Sequence, residues 1–155
     1  LIRMASEDIG NADPQALPLA IAARDSYQML GSPEGELALA QVVVYLALAP
    51  KSNAVYIAFK AAISLAKSSG SPMPPMVILN APTKLMKGEG YGEGYQYDHD
   101  VPDAFSGQEY FPEALGRQQF YQPVERGFER DLKKRMDYFS RLRAEKSRNR
   151  NALDE

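Results

Sequence analysis

The sequence predicts an all-α bundle, and three observations predict it. Residues 37–49 are almost uninterruptedly apolar and rich in Ala and Leu, with Gln41 the one strongly polar side chain. Asp13-Pro14 and Ser32-Pro33 each place a capping side chain before a proline, which is a helix-start signature, while Gly31 and Pro50 supply stops. Near the end, Phe128, Leu132, Met136, Phe139 and Leu142 recur at helical spacing.

The elements follow in order. Residues 1–9 read as the end of a helix stopped by Gly10-Asn11, and the chain's opening on Leu1 inside that helix predicts a piece of a longer protein. The Asp13-Pro14 helix carries Leu17, Ile21 and Leu30 as its expected apolar face. Glu34 and Glu36 sit near the positive end of the next helix dipole. Val42-Val43-Val44 alone reads as a strand, but its Ala and Leu flanks and the length of the run decide for helix. A helix apolar on all sides is expected at the centre of a bundle. Ser52 caps a following helix whose Val55, Phe59, Ala62 and Ala66 share one side, with alanines allowing close neighbours.

Residues 68–75 form a Ser/Gly/Pro linker, and beyond it the helical period is lost. Between residues 76 and 124 the expectation is one short helix, around 83–87, in an irregular Gly/Tyr-rich segment with room for a short hairpin. Tyr91, Tyr95, Tyr97, Phe105, Tyr110, Phe111, Phe120 and Tyr121 are expected to pin that segment down, since aromatics bury large areas at low rotamer cost. A final helix is expected over 125–145 and a disordered tail over 148–155. The expected organisation is one helical domain over 1–147, with core helices in 1–69.

Composition bounds the function. With 155 residues, 45% hydrophobic, 25% charged and a net charge of -2, the chain suits one globular domain and neither a disordered nor a uniformly cationic protein. The absence of cysteine excludes disulfides, thiolate metal sites and cysteine nucleophiles, and it fits a cytoplasmic setting. No charged region precedes an apolar run at the start, so no signal peptide is predicted. The apolar run ending at Pro50 falls short of the roughly 20 residues that span a bilayer.

Candidate chemistry is sparse. The glycines of Gly88-Glu89-Gly90-Tyr91-Gly92-Glu93-Gly94 suggest a phosphate loop, but no Lys-Ser/Thr follows and two glutamates oppose phosphate, so tight turns are expected. Asp98-His99-Asp100 holds the sole histidine, and three adjacent residues do not converge on one ion, so a hydrogen-bonded loop histidine is expected. No nucleophile is paired with a base. No catalytic, cofactor-binding or metal residue is therefore assigned.

Charge is more informative. Residues 126–150 hold ten basic and four acidic side chains, about +6, which leaves 8 basic and 16 acidic elsewhere, about -8. The nucleic-acid-contact candidates are Lys133, Lys134, Arg141, Arg143 and Lys146. The candidates for an interface between copies, chosen from the Ala-rich helix and the Tyr-rich segment, are Val55, Ala58, Phe59, Ala62, Tyr91 and Tyr95.

Six phrases in order, LIRMASEDIG, GSPEGELALAQ, YLALAPKSNAVY, NAPTKLMK, GYGEGYQYDHD and YQPVERGFE, resemble the C-terminal domain of the replication-associated recombination protein A family. That family includes the bacterial protein and the eukaryotic Werner-helicase-interacting ATPase. The resemblance covers Leu1 to about Glu129. It implies a fold like the clamp-loader collar, homotetramers, and a parent AAA+ ATPase that works with ATP and Mg at DNA forks or gaps, associated with the bacterial nucleoid. It also implies single-stranded DNA-binding protein as a partner. The Walker and arginine-finger elements of the family belong upstream, and none occurs here. The expected role is therefore non-catalytic oligomerisation. The alternatives are a DNA-binding module using the basic helix and a docking adaptor for a replication partner.

Overall fold

A computed structural model describes residues 1–151, with side chains described through Asn149. Among the described residues all regular structure is helical, as the sequence predicts: α1 (Ile2–Met4), α2 (Ala16–Leu30), α3 (Glu36–Leu48), α4 (Ala54–Ser69), α5 (Lys84–Gly88) and α6 (Glu129–Asn151), with short 3₁₀ and π turns between. The chain divides into two compact units. The first is Leu1–Ser64 with Phe120–Met136, and the second is Leu65–Gln119 with the chain from Asp137 onward.

In the first unit, α1 runs into a π-turn over Ala5–Ile9 and a 3₁₀ turn over Gly10–Ala12. Asp13 makes a turn rather than a strict cap: its Oδ1 accepts from the Gln15 amide at 3.0 Å, its Oδ2 accepts from the Tyr45 hydroxyl at 2.6 Å, and α2 begins at Ala16. Gly31, with φ +69°, ends α2 as expected. Ser32-Pro33 also lies in a turn, and α3 begins at Glu36, whose carboxylate accepts from the Ser32 hydroxyl. The Lys51 ammonium donates to the Leu46 and Ala47 carbonyls at 2.8 and 3.2 Å, which satisfies the end of α3 and complements its dipole.

The core of this unit is built largely from alanine. Ala5, Ile9, Ala16, Ala20, Ala23, Val42, Leu46 and Ala49 are buried together. The buried stripe of α2 is Ala16, Ala20 and Ala23, spaced four and three apart, and this corrects the expected face: Leu17 and Ile21 are half-exposed and Leu30 is largely exposed. Small side chains let two helix backbones approach closely, so the bulkier residues are turned outward. Helix α3 also departs from expectation. Only Val42 and Leu46 of its length are buried, while Leu37 and Leu48 are 76% and 82% exposed. Its other faces have no cover within this unit.

In α4 the inner stripe is Ala54, Ala58, Ala62 and Leu65, and Val55 and Phe59 point outward. Ser52 caps it as expected, accepting from the Ala54 amide at 3.2 Å.

The final helix starts four residues later than the expected 125. Gly127 adopts φ +51°, and the Phe128 amide donates to the Ala12 carbonyl at 2.8 Å, so residues 125–128 are held in a turn. At the other end α6 continues through residue 151, past the expected start of the tail at 148; residues 152–155 lie outside the described residues.

The second unit is ordered mostly without regular structure. Thr83 caps α5, accepting from the Met86 amide at 3.2 Å, close to the expected 83–87. The hairpin allowed for in 88–124 is absent, because the backbone there bonds in turns and to side chains. Gln108 is the centre: its Oε1 accepts from the Gln96 amide at 3.0 Å and its Nε2 donates to the Gly94 carbonyl at 2.7 Å. Ser106, Gly107 and Gln108 are all buried. Phe105 packs on Phe139 of α6 with ring centroids 5.1 Å apart. Phe105 and this polar network anchor the segment, while Tyr95, Tyr97 and Tyr110 stay half-exposed.

Candidate functional site

Three places in the molecule have the chemistry to meet something else. The first is the outer surface of the first unit. Met29 at the end of α2 (81% exposed), Leu37, Val44 and Leu48 on α3, and Ile57 and Phe59 (64% exposed) on α4 leave large apolar side chains in water. Of these, Val44 and Leu48 also line a groove of about 460 Å³, together with Leu19, Val42, Tyr45 and Pro50. At about 25 cal/mol per Å², covering each such side chain contributes about 1.5–3 kcal/mol. Of the interface candidates on this unit, Phe59 and Val55 reach the surface, whereas Ala58 and Ala62 are half-buried on the inner stripe.

The second place is an open groove of about 1250 Å³ in the second unit. Its walls are the segment Val77–Ala81 and the rings of Tyr91, Tyr95 and Tyr110, with Lys87 and Glu93 also lining it. The glycine cluster builds one wall. Gly90, Gly92 and Gly94 all have positive φ, and the Gly92 amide donates to the Met76 carbonyl at 2.8 Å. These are the tight turns expected from the sequence. A Cβ at Gly92 would sit 3.2 Å from the Leu79 carbonyl oxygen.

The third is α6. Lys134 pairs with Asp131 at 3.2 Å, Arg141 is exposed, and Lys133 is half-buried. Arg143 and Lys146 are engaged within the second unit. The Arg143 guanidinium lies over the Phe105 ring at 4.9 Å with Nε 3.4 Å from Glu109, and Lys146 donates to the Pro102 carbonyl at 2.9 Å and faces Asp103. The five candidates thus differ in how free their charge is.

Asp98-His99-Asp100 forms a 3₁₀ turn in which Asp98 accepts from the Ser106 amide at 2.7 Å, and hydrogen bonding from the Ser106 side chain first, then from that amide, holds its carboxyl below the ordinary value. The His99 ring rests 5.0 Å from that of Tyr97. Among the described residues no three His, Asp or Glu side chains gather as a metal site would require, and no helix is long and apolar enough to cross a membrane.

The sequence reading missed a buried carboxylate. Glu129, the first residue of α6, is fully buried in the first unit. It accepts from the Ser52 hydroxyl at 2.9 Å, the Tyr121 hydroxyl at 2.9 Å and the Val124 amide at 2.7 Å. Asn11 donates to the Tyr121 oxygen at 3.4 Å. Burial foremost, together with the Glu129 carboxylate, pushes the Tyr121 phenol up to about 12. The signal was a glutamate at a helix start in a chain segment otherwise free of caps, where three donors and the helix dipole offset its desolvation.

These features define a helical module with large exposed apolar side chains and a buried polar staple. The chain belongs to the family described as the MgsA AAA+ ATPase C terminal, whose model matches residues 1–140. It is 52% identical over 143 residues to Replication-associated recombination protein A of Coxiella burnetii, covering 92% of this chain and 32% of that protein. The protein of the same name from Escherichia coli K12 is 51% identical over 129 residues, 83% of this chain and 29% of that protein. ATPase WRNIP1 of Dictyostelium discoideum is 43% identical over 123 residues, 79% of this chain and 14% of that protein. The chain thus spans about a third or less of the length of these relatives. The phrases that carried the family resemblance hold the turn ending at Gly10, Ser52, part of the groove wall and Glu129.

Proposed function

We propose that this chain is the oligomerisation domain of a AAA+ ATPase that acts in replication-associated recombination, and that it does no chemistry itself. The observation that carries the reading is the outer surface of the first unit, where Met29, Leu37, Leu48 and Phe59 stand in water. Large exposed apolar side chains of this kind, where they cluster, mark sites of association. A stable pairwise contact needs about 800 Å² per partner, and a closed ring or tetramer needs two such patches on each copy. The expected assembly is a homotetramer with a collar-like arrangement of the kind found in clamp loaders. Tyr91 and Tyr95 remain candidates for a second patch.

Holding ATPase modules together would raise the local concentration of the neighbour each one needs. On this reading ATP and Mg bind upstream, and DNA forks or gaps and a single-stranded DNA-binding protein are partners of the whole protein. Light scattering after size-exclusion chromatography tests the domain's part. A tetramer mass supports it, and a monomer at tens of micromolar would move assembly elsewhere.

A second reading, DNA contact through α6, is favoured by the exposed Arg130, Lys134, Arg135 and Arg141. It requires affinity that falls steeply with salt, and loss of binding when Lys134, Arg135 and Arg141 are together replaced by glutamine.

A further inference from the structure

In the second unit a pocket of about 510 Å³ is lined by Gly107, Glu109, Arg117, Ser140, Arg143, Ala144 and Ser147. Ser140, Arg143, Ala144 and Ser147 are spaced three, four and seven apart, so α6 presents them along one face. Arg117 donates from one nitrogen to both Glu109 oxygens at 3.1 Å. Arg143 approaches the same carboxylate, its Nε 3.4 Å from Oε1, yet that nitrogen is buried and makes no hydrogen bond. Two guanidiniums thus converge on a single carboxylate.

We propose that this pocket is a binding site for a phosphoryl oxyanion, held between Arg117 and Arg143 with the Ser140 and Ser147 hydroxyls as further donors. Each guanidinium carries five N–H donors in a planar fork, and Glu109 uses only a few of them. The geometry is set in advance. The Arg143 guanidinium carbon lies over the Phe105 ring, 4.9 Å from its centroid, and a Cβ added at Gly107, which has φ +69°, would stand 3.8 Å from the Arg143 Cα. One negative charge against two positive ones leaves the pocket cationic. Burial, with the neighbouring Arg117 charge, lowers the Arg143 guanidinium from its ordinary value, a repulsion that a bound anion relieves. A tetrahedral oxyanion matches donors arriving from several directions better than a planar carboxylate does. The volume exceeds that of a lone phosphate, so the phosphoryl group has room for a substituent. The site is independent of the assembly surface of the first unit.

The test uses the full chain and the Arg Nε–H signals in its NMR spectrum, titrated at constant ionic strength. One arm uses phenyl phosphate, a monoester; the other uses a short oligothymidylate without terminal phosphates, which offers diesters only. Saturable shifts of the Arg117 and Arg143 signals are expected in at least one arm, and the responding arm assigns the source as a small phosphate ester or a nucleic-acid backbone. Arg117→Ala should abolish saturation, and Arg143→Lys should weaken it about tenfold by removing the fork. Glu109→Gln should tighten binding about fivefold, because it removes the competing charge. A purely structural ion pair would make that variant bind no better. Equal affinity in Glu109→Gln and wild type, or shifts matched by chloride, overturns the proposal.

Discussion

Ser52 and Glu129 are 77 positions apart, and the serine hydroxyl donates to the buried carboxylate at 2.9 Å. The same hydroxyl accepts from the Ala54 amide, and the Ser52 amide donates to the Asp8 carbonyl at 2.8 Å. One residue therefore starts α4 and meets the first residue of α6 through its hydroxyl, and closes against the first helical segment through its amide. Tertiary structure and helix capping share an atom here.

Glu129→Gln should destabilise the first unit by about 1–3 kcal/mol, because it replaces an acceptor with a donor facing donors. Ser52→Ala should cost about 1–2 kcal/mol through loss of both the cap and the bond to the carboxylate. Urea denaturation followed by circular dichroism measures both. Midpoints unchanged in both variants would show that the node contributes nothing.

Tyr121 should make the fold sensitive to alkali. Its phenol titrates near about 12 in the folded chain against an ordinary value of 10.0. Below pH 10 both states keep the proton and stability is unaffected. Between pH 10 and 12 the unfolded chain ionises first, so stability falls as pH rises, by about 1 kcal/mol once solvent screening at this partly exposed phenol is allowed for. Tyr121→Phe should be less stable at pH 8 yet lose less between pH 9.5 and 11.5, as read from urea midpoints at each pH.

Gly127→Ala should prevent folding of the first unit or cost more than about 3 kcal/mol. At φ +51° an added Cβ would stand 2.0 Å from the Ala12 carbonyl oxygen and 2.7 Å from Pro50. Gly88→Ala is the counterpart. Nothing lies within 4 Å of its added Cβ, and the residue ends α5, so a gain of about 0.5 kcal/mol is expected. Thermal melts of the two variants should move in opposite directions.

Leu48→Asp and Phe59→Asp should lower the solution mass while keeping the helical spectrum, since both side chains are mostly exposed. Leu46→Asp, at a fully buried position two residues away from Leu48, should instead unfold the first unit. Sedimentation velocity separates the cases. An unaltered mass in the surface variants would place the contact on another face, with Tyr91 and Tyr95 next to be tested.

Local signals in the sequence were legible where a single residue decides the outcome. Gly31 as a stop, Ser52 as a cap, the short helix near 83–87 and the turns of the glycine cluster all stand where the sequence put them. The facing of helices was not legible. A helix like α3, apolar on every side, has no pattern to show which side is inward, and in α2 the close-packing alanines are buried while the larger Leu17 and Ile21 are turned out. The start of α6 shifted because Glu129 is satisfied by partners at positions 52 and 121, which no local window contains. Arg143 and Lys146 looked like free cations in a basic run, but Phe105, Glu109 and Pro102 reach them from a segment without period.

The alanine seam between α2 and α3 leaves evolution little room to manoeuvre. A core of leucines can be trimmed by a methylene at a time and refilled elsewhere, but Ala16, Ala20 and Ala23 have nothing to remove except the Cβ itself. Any enlargement must wedge two helices apart along their shared length. Divergence in such a domain is steered outward, onto the exposed sides of the same helices, where side chains can be exchanged without disturbing the spacing beneath them.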